Sequence, residues 1–539
     1  MKSRKLIVLS LVVAVIMMVS AAALACTSIM VGKDASADGS VMTAHTCDGN
    51  YDARIQIIPG QTFEPGTMTP VYLNLCTDTI REPSYVGEIP QAEQTYTYFH
   101  IGYPFMNEHS VLVGEATWSG RRELRNSEAM LNIEQLTAFA LQRSTNAREF
   151  IQVAGELAET YGYVDGGEGL TIADANDEVW LFEICGPGPF WTQDSDEPGA
   201  VWVAQRIPDG HVSVIANRAR IGEIDLDDTD NFMASSNIYT VAQEFGWWDE
   251  SEPFVFHKVY NPTPYGSPAY QSRREWRVLD LLAPSLGLDP YADEYPFSVK
   301  PDEPVTPQKL MAIYRDHYQG TEFDLTQGMA AGPFGSPNRY PTPTSVKPEG
   351  TGSLDWERAI SLFRCSYSFV GQVRSWLPEG MAGLLWFGED VPHSTVYIPL
   401  YAGITEVPES FSSGRRDIFD RNSAWWAFNF VSNWADLKFS YMMEDIQAKQ
   451  AEFEENFFAM QPAVELAAET MFKTNPELGI KYLTDYSYNA CTNVVNSWWE
   501  LAAELVAKYD DGYVDMSTSV GYPTWWLEEV GFGETMKDM

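Results

Sequence analysis

A chain of 539 residues that is 45% hydrophobic and 13% aromatic can bury a sizeable core, which argues against a disordered protein. Its 75 acidic residues against 35 basic ones give a formal charge of −40, a surface that repels nucleic acid and anionic membranes. The length allows one large domain or two to three ordinary ones.

Met1–Ala25 has the form of a secretory signal. Lys2, Arg4 and Lys5 make a basic start, Leu6–Val19 is apolar but shorter than the roughly 20 residues of a membrane span, and Ala23-Leu24-Ala25 fits an A-x-A cleavage site. Removal leaves Cys26 as the first residue and moves the formal charge from −40 to about −43. A lipid-anchored reading stays open because a cysteine follows directly. Against it, Ala23 stands where lipidation sites usually carry a branched apolar residue, and a strand pattern follows where a polar tether is expected. The expected location is periplasmic or extracellular.

Thr27–Gly32 and Ser40–His45 are strand patterns joined by turn residues Asp34–Gly39, a hairpin that begins at Cys26. Apolar spacing of three and four predicts helices over Ile133–Arg143 and Ala147–Tyr161, capped by Asn132 and Asn146. A second hairpin runs Gly169–Ala173, Ala175-Asn176-Asp177, Val179–Ile184, and Val201–Gln205 and His211–Ala216 read as further strands. Arg273–Leu282 is amphipathic and helical in pattern. Asp289–Val305 and Gly328–Gly352 are rich in Pro, Gly and Ser and read as surface loops. Cys365–Val373, Gly383–Phe387 and Thr395–Leu400 return to strand patterns, and the tail is helical over Asn422–Met460, Pro462–Thr474 and Tyr488–Lys508. The expected fold class is α+β, with layered antiparallel sheets and helices outside. The expected organisation is a catalytic domain over 26–420 with a helical C-terminal region over 421–539 packed on it. The paired tryptophans at 247–248, 425–426, 498–499 and 525–526 read as packing residues.

Elimination narrows the chemistry. The chain has no G-x-S-x-G, H-E-x-x-H, G-x-x-x-x-G-K-[ST] or G-x-G-x-x-G motif. The acidic run Asp225, Asp227, Asp228, Asp230 lacks the glycine and distal glutamate of a calcium loop. Cys26, Cys47, Cys76, Cys185, Cys365 and Cys491 are scattered without metal spacing; a Cys47–Cys76 bridge is open. An N-terminal cysteine, by contrast, carries its own chemistry. A thiol of pKa about 8.5 and an α-amine of about 7.7–8.0 sit on one residue, so nucleophile and general base arrive together.

The run CTSIMVGKDASADGS with the following HTCDGN resembles the opening of the C69 dipeptidase family, whose members are N-terminal-nucleophile (Ntn) hydrolases distantly similar to penicillin V acylases and bile-salt hydrolases. Similar segments are ANRARI at 216–221, SRREWR at 272–277, CSYSFV at 365–370 and VYIPLYAG at 396–403, so the resemblance runs from Cys26 to at least Gly403. It implies an αββα sandwich of two antiparallel sheets with the nucleophile at the end of a central strand. It also implies Cys26 as nucleophile, Asp48 as the acid that holds its amine, Asn217 as an oxyanion donor and Arg273 as an ordering cation. On the residues alone, Asp48 is equally a turn residue, Asn217 a strand-end cap and Arg273 a surface helix residue. The acylase branch has an arginine shortly before the aspartate; here His45 stands near that place, and either His45 as a switchable charge or Arg54 is the candidate replacement. The implied activity is exported hydrolysis of dipeptides or short peptides through a thioester. It needs no metal or organic cofactor; its partners are small peptides, with no nucleic acid and no membrane after signal removal, and a homo-oligomer is left open. The alternatives are an amidase on N-acyl amino acids, penicillin V or conjugated bile acids, and a lipid-anchored binding protein.

Overall fold

The computed structural model describes residues 26–75, 82–262, 270–339 and 357–531. Met1–Ala25 with the expected signal, Cys76 with its candidate bridge, and residues 340–352 of the second loop lie outside them.

In chain order the strands begin Thr27–Val31 (β1), Val41–Asp48 (β2), Gln56–Ile58 (β3), Met68–Leu73 (β4), Ser84–Pro90 (β5), Tyr98–His100 (β6), Met106–Asn107 (β7) and Leu112–Thr117 (β8). Helices Ile133–Arg143 (α1) and Ala147–Tyr161 (α2) follow, then Glu168–Ala173 (β9), Val179–Cys185 (β10), Val201–Arg206 (β11), Val212–Ile215 (β12) and Phe232–Ala234 (β13). Next come Ser272–Leu282 (α3), Ser298–Val299 (β14), Pro307–Tyr314 (α4), Cys365–Val373 (β15), Gly383–Glu389 (β16) and Ile398–Tyr401 (β17). The tail is Ala424–Ala435 (α5), Phe439–Thr474 (α6) and Pro476–Lys508 (α7).

Among the described residues, one sheet has the order β14-β12-β1-β2-β15-β16-β17 and a second β13-β11-β10-β9-β8-β7-β6-β3. Their strand pairs are antiparallel. The sheets lie face to face: Thr43 on β2 meets Thr171 on β9 at 2.5 Å between hydroxyls, and Ser28 on β1 donates to the Glu115 carbonyl on β8 at 2.7 Å. Gly114 permits this approach, since a Cβ there would fall 2.6 Å from the Thr171 hydroxyl. α1 and α2 cover the second sheet, with Gly155 of α2 against the Trp202 ring, while α3, α4, α5 and α7 lie against β12, β15, β16 and β17 of the first. The result is the four-layer αββα sandwich that the motif resemblance implies. β1, β2, β10, β15 and β16 are buried at every position, because sheet or helix covers both faces.

Local signals set the two covering helices. Asn132 accepts from the Gln135 N–H at 3.2 Å and Asn146 from the Glu149 N–H at 3.0 Å, each cap worth about 1 kcal/mol. The tryptophan pairs divide: Trp425 and Trp498 are buried packing residues, whereas Trp525 is 48% exposed.

The tail departs from expectation. The sequence pattern places a boundary at Pro462, but α6 runs 36 residues straight through it, and the breaks fall at Asp436–Lys438 and Asn475. Proline removes one N–H donor and crowds the preceding turn, but packing against the 33-residue α7 continues on both sides of it. Asn475 stops the helix and caps the next, accepting from the Glu477 N–H at 3.1 Å. Because Pro462 is exposed, Pro462→Ala should restore the backbone bond without disturbing packing and raise stability by about 1–3 kcal/mol in urea unfolding. An unchanged midpoint would mean that the helix has already relaxed around the proline.

Candidate active site

Antiparallel register gathers four strand ends. β1 starts one residue after Cys26 and pairs Thr27 with Thr46, so β2 ends alongside at Asp48. On the other flank β12 pairs Ile215 with Ser28 and exits through Ala216 to Asn217. β15 begins at Cys365, opposite Asp48. The order β12-β1-β2-β15 therefore sets Asn217, Cys26, Asp48 and Cys365 along one edge. A bulge between Cys365 and Tyr367 frees Ser366, whose hydroxyl donates to the Gly49 carbonyl at 2.6 Å and accepts from the Tyr51 N–H at 3.1 Å. That clamp fixes the turn immediately after Asp48.

Two buried guanidinium groups tie the edge together. Arg274 donates through Nη1 to the Cys26 carbonyl and the Thr27 hydroxyl, both at 2.8 Å, and through Nη2 to Asn217 Oδ1 at 2.7 Å. Arg358 donates to the same Oδ1 at 2.9 Å and pairs with Asp48 Oδ2 at 2.5 Å. Two cationic donors on one end of the Asn217 amide require that end to be oxygen, so Nδ2 points the other way and donates to the Thr117 carbonyl at 2.7 Å. Asn217 holds this position at φ 63, the left-handed region that asparagine tolerates. Burial and the nearby Arg358 lower the Arg274 pKa to about 10, which still leaves it charged at neutral pH. Burial raises the Asp48 pKa, opposed by Arg358 and Arg274. Asp48 Oδ1 is buried and accepts no hydrogen bond.

The structure thus brings together Cys26, Asp48 and Asn217 of the residues singled out from sequence, but not Arg273. That side chain turns away to Glu357 at 3.2 Å and lies 3.6 Å from the Phe323 ring centre. Successive helical residues point about 100° apart, so only one of the adjacent arginines on α3 can face β1, and it is Arg274. Neither candidate for the missing cation fills that role. His45 points between the sheets, its Nδ1 2.9 Å from the Glu115 carbonyl and 3.1 Å from the Ser28 hydroxyl, and burial lowers its pKa to about 3, so it stays neutral. Arg54 forms a two-pronged pair with Asp52, at 2.8 and 2.6 Å. The cation beside Asp48 is Arg358, which no motif marks.

The Cys26 thiol has no exposed surface in the 539-residue chain. Burial, the adjoining Cys47 thiol and the Glu115 carboxyl hold its pKa well above the ordinary thiol value, a state in which it is a poor nucleophile. Cys26 Sγ, a His45 ring nitrogen and a Glu115 carboxylate oxygen lie within 4.8 Å of one another. Thiolate, imidazole and carboxylate are donors that zinc accepts, so this trio could hold an ion, but only by occupying the sulfur of Cys26.

A family model described as Peptidase family C69 matches residues 25–452. The chain is 25% identical over 512 residues to a probable dipeptidase of Latilactobacillus sakei, across 90% of this chain and 95% of that relative. It is 24% identical over 430 residues to dipeptidase A of Lactobacillus helveticus, across 77% and 82%. Against the solved penicillin V acylase of Agrobacterium tumefaciens it shares 14% identity over 29% of this chain and 46% of that one, with a TM-score of 0.18, an overlap too small to carry an argument.

Arg358→Met leaves Asp48 buried without its ion-pair partner and should destabilise the fold by about 3–5 kcal/mol in urea unfolding. Adding Asp48→Asn in the same chain removes the uncompensated charge and should recover a large part of that loss. Additive losses in the double variant would show that the pair is not coupled.

Proposed function

The chain belongs to peptidase family C69, and we propose on that premise that it is an exported dipeptidase whose nucleophile is the thiol of Cys26, exposed as the first residue by removal of Met1–Ala25. The observation that carries the reading is the buried, unpartnered Oδ1 of Asp48 beside Cys26. Cleavage before Cys26 creates an α-ammonium group, and a carboxylate oxygen that accepts nothing in the uncut chain is a receiver for it.

In this mechanism the α-amine, once it has lost a proton to solvent, takes the thiol proton, and the thiolate attacks the carbonyl carbon of the peptide bond. The negative charge that develops on the carbonyl oxygen is met by an amide hydrogen of Asn217, worth about 3–4 kcal/mol for a donor of this kind. Arg274 and Arg358 fix the direction of that amide through its oxygen. The ammonium of Cys26 returns its proton to the departing nitrogen as the C–N bond breaks, which leaves a thioester on Cys26. Water, deprotonated by the same amine, attacks the thioester, and the second product leaves with the thiol restored. Asp48 holds the amine throughout and does not change protonation state.

Protein beginning at Cys26 should hydrolyse L-Ala-L-Ala, whereas Cys26→Ala and a chain that retains residues before Cys26 should both lose at least about 1,000-fold in kcat. Equal activity in the retained-leader chain, with its first residue verified by intact mass, would refute the role of the amine. The same assay separates the two arginines on α3. Arg274→Met should reduce kcat by about 100-fold or more through loss of the Asn217 orientation, and Arg273→Met should stay within about tenfold of the parent.

A further inference from the structure

The opposite side of Cys26 holds a second set of charged groups that the mechanism leaves unused. Glu115 on β8 and Glu168 on β9 are buried and hydrogen-bond to each other, and in neither does Oε2 meet an N–H or hydroxyl donor. The other oxygen of Glu115 accepts from the Thr117 hydroxyl at 2.8 Å. Among the described residues neither carboxyl forms an ion pair. Their surroundings are acidic or neutral: each other, Asp165, Asp48, Thr117 and the Cys26 thiol. Burial raises both carboxyls above the ordinary range; the adjoining Glu115 pushes Glu168 up further, whereas hydrogen bonds with Glu168, Cys26 and Thr117 hold Glu115 back. Two adjoining carboxyls without a cation are costly to bury, and a ligand that supplies positive charge relieves that cost.

The location says which cation fits. A Glu115 oxygen lies within 4.8 Å of Cys26 Sγ. In a peptide poised for attack, the carbonyl carbon stands about 3–3.5 Å from the nucleophile. The α-nitrogen of the same residue is two bonds further on, about 2.5 Å from that carbon by standard bond lengths. An α-ammonium group turned toward β8 can therefore come within hydrogen-bond reach of the Glu115 carboxylate. A metal ion fits less well, because the donors close enough to ligate one ion with Glu115 include the Cys26 sulfur, which the proposed reaction needs free.

We infer that Glu115, backed by Glu168, receives the α-ammonium group of the substrate, so that the enzyme selects peptides with a free amino terminus and cuts after the first residue. This rests on Cys26 being the nucleophile, since the distance is measured from its sulfur. It adds to that reading the residue that discriminates: Glu115 holds the free amine that a dipeptidase substrate carries, and N-acylated peptides, the substrates of the amidase alternative, find no partner there.

The test compares kcat/KM on L-Ala-L-Ala and N-acetyl-L-Ala-L-Ala with protein beginning at Cys26. The parent should prefer the free amine by about 100-fold or more, as expected for loss of a charge-assisted bond with a buried group left unpaired. Glu115→Gln, which keeps the shape and removes the charge, should narrow that preference below about tenfold, mainly through KM for the free peptide. Glu168→Gln should narrow it in the same direction and serves if the first variant folds poorly. Equal rates on the two peptides in the parent overturn the inference without any variant. So does a Glu115→Gln protein that loses the same factor on both, which would assign Glu115 to the enzyme's own amine or to packing. Failure of the nucleophile reading shows separately, as a Cys26→Ala protein that still hydrolyses L-Ala-L-Ala.

Discussion

Arg274 and Arg358 both donate to one oxygen, Oδ1 of Asn217, and through that atom the first sheet, α3 and the segment before β15 hold one another in place. Two guanidinium groups that close repel, and burial removes the water that would screen them. They persist because each also meets an acceptor of its own: the Cys26 carbonyl and Thr27 hydroxyl for one, the Asp48 carboxylate for the other. Removing any member leaves a charge or a polar atom without a partner inside the protein. The amide of Asn217 consequently has one orientation, and its nitrogen end faces β8 of the opposite sheet.

The alternation of β1 sorts the charges. Thr27 faces the arginines on the helix side, while Ser28 faces β8 on the side where Glu115 lies. Cationic and acidic groups thus approach the start of β1 from different directions, with the Cys26 sulfur on the acidic side and its carbonyl on the cationic side. A thiol held there meets carboxyls and a second thiol, all of which favour its neutral form. The formal charge of −40 is a property of the whole chain and does not set the state of one buried sulfur.

Much of the architecture could be read from sequence because it is written locally. Asn132 and Asn146 sit one residue before apolar periodicity begins, and both cap the helices they announce. The hairpin after Cys26 and the strand from Cys365 follow from their apolar runs and turn residues. Pro462 misled because a local rule, that proline ends helices, was overridden by packing along α7. The site was legible only in part. Cys26, Asp48 and Asn217 lie in recognisable motifs, but choosing Arg274 over Arg273 requires the rotational phase of α3, and both residues are buried. Arg358 is 310 residues from the aspartate it pairs with and stands in no periodic pattern. Glu115 and Glu168 lie in strands whose pattern conveys burial but not what meets them there.

The bulge at Ser366 bears on how such a chain can change over evolutionary time. Its clamp on Gly49 joins residues 317 apart in sequence, and a one-residue insertion in either β2 or β15 would turn alternate side chains to the opposite face. The two strands are therefore inherited as a single piece, although a whole sheet's worth of coding sequence separates them. Recombination that exchanges one without its mate breaks the turn beside Asp48.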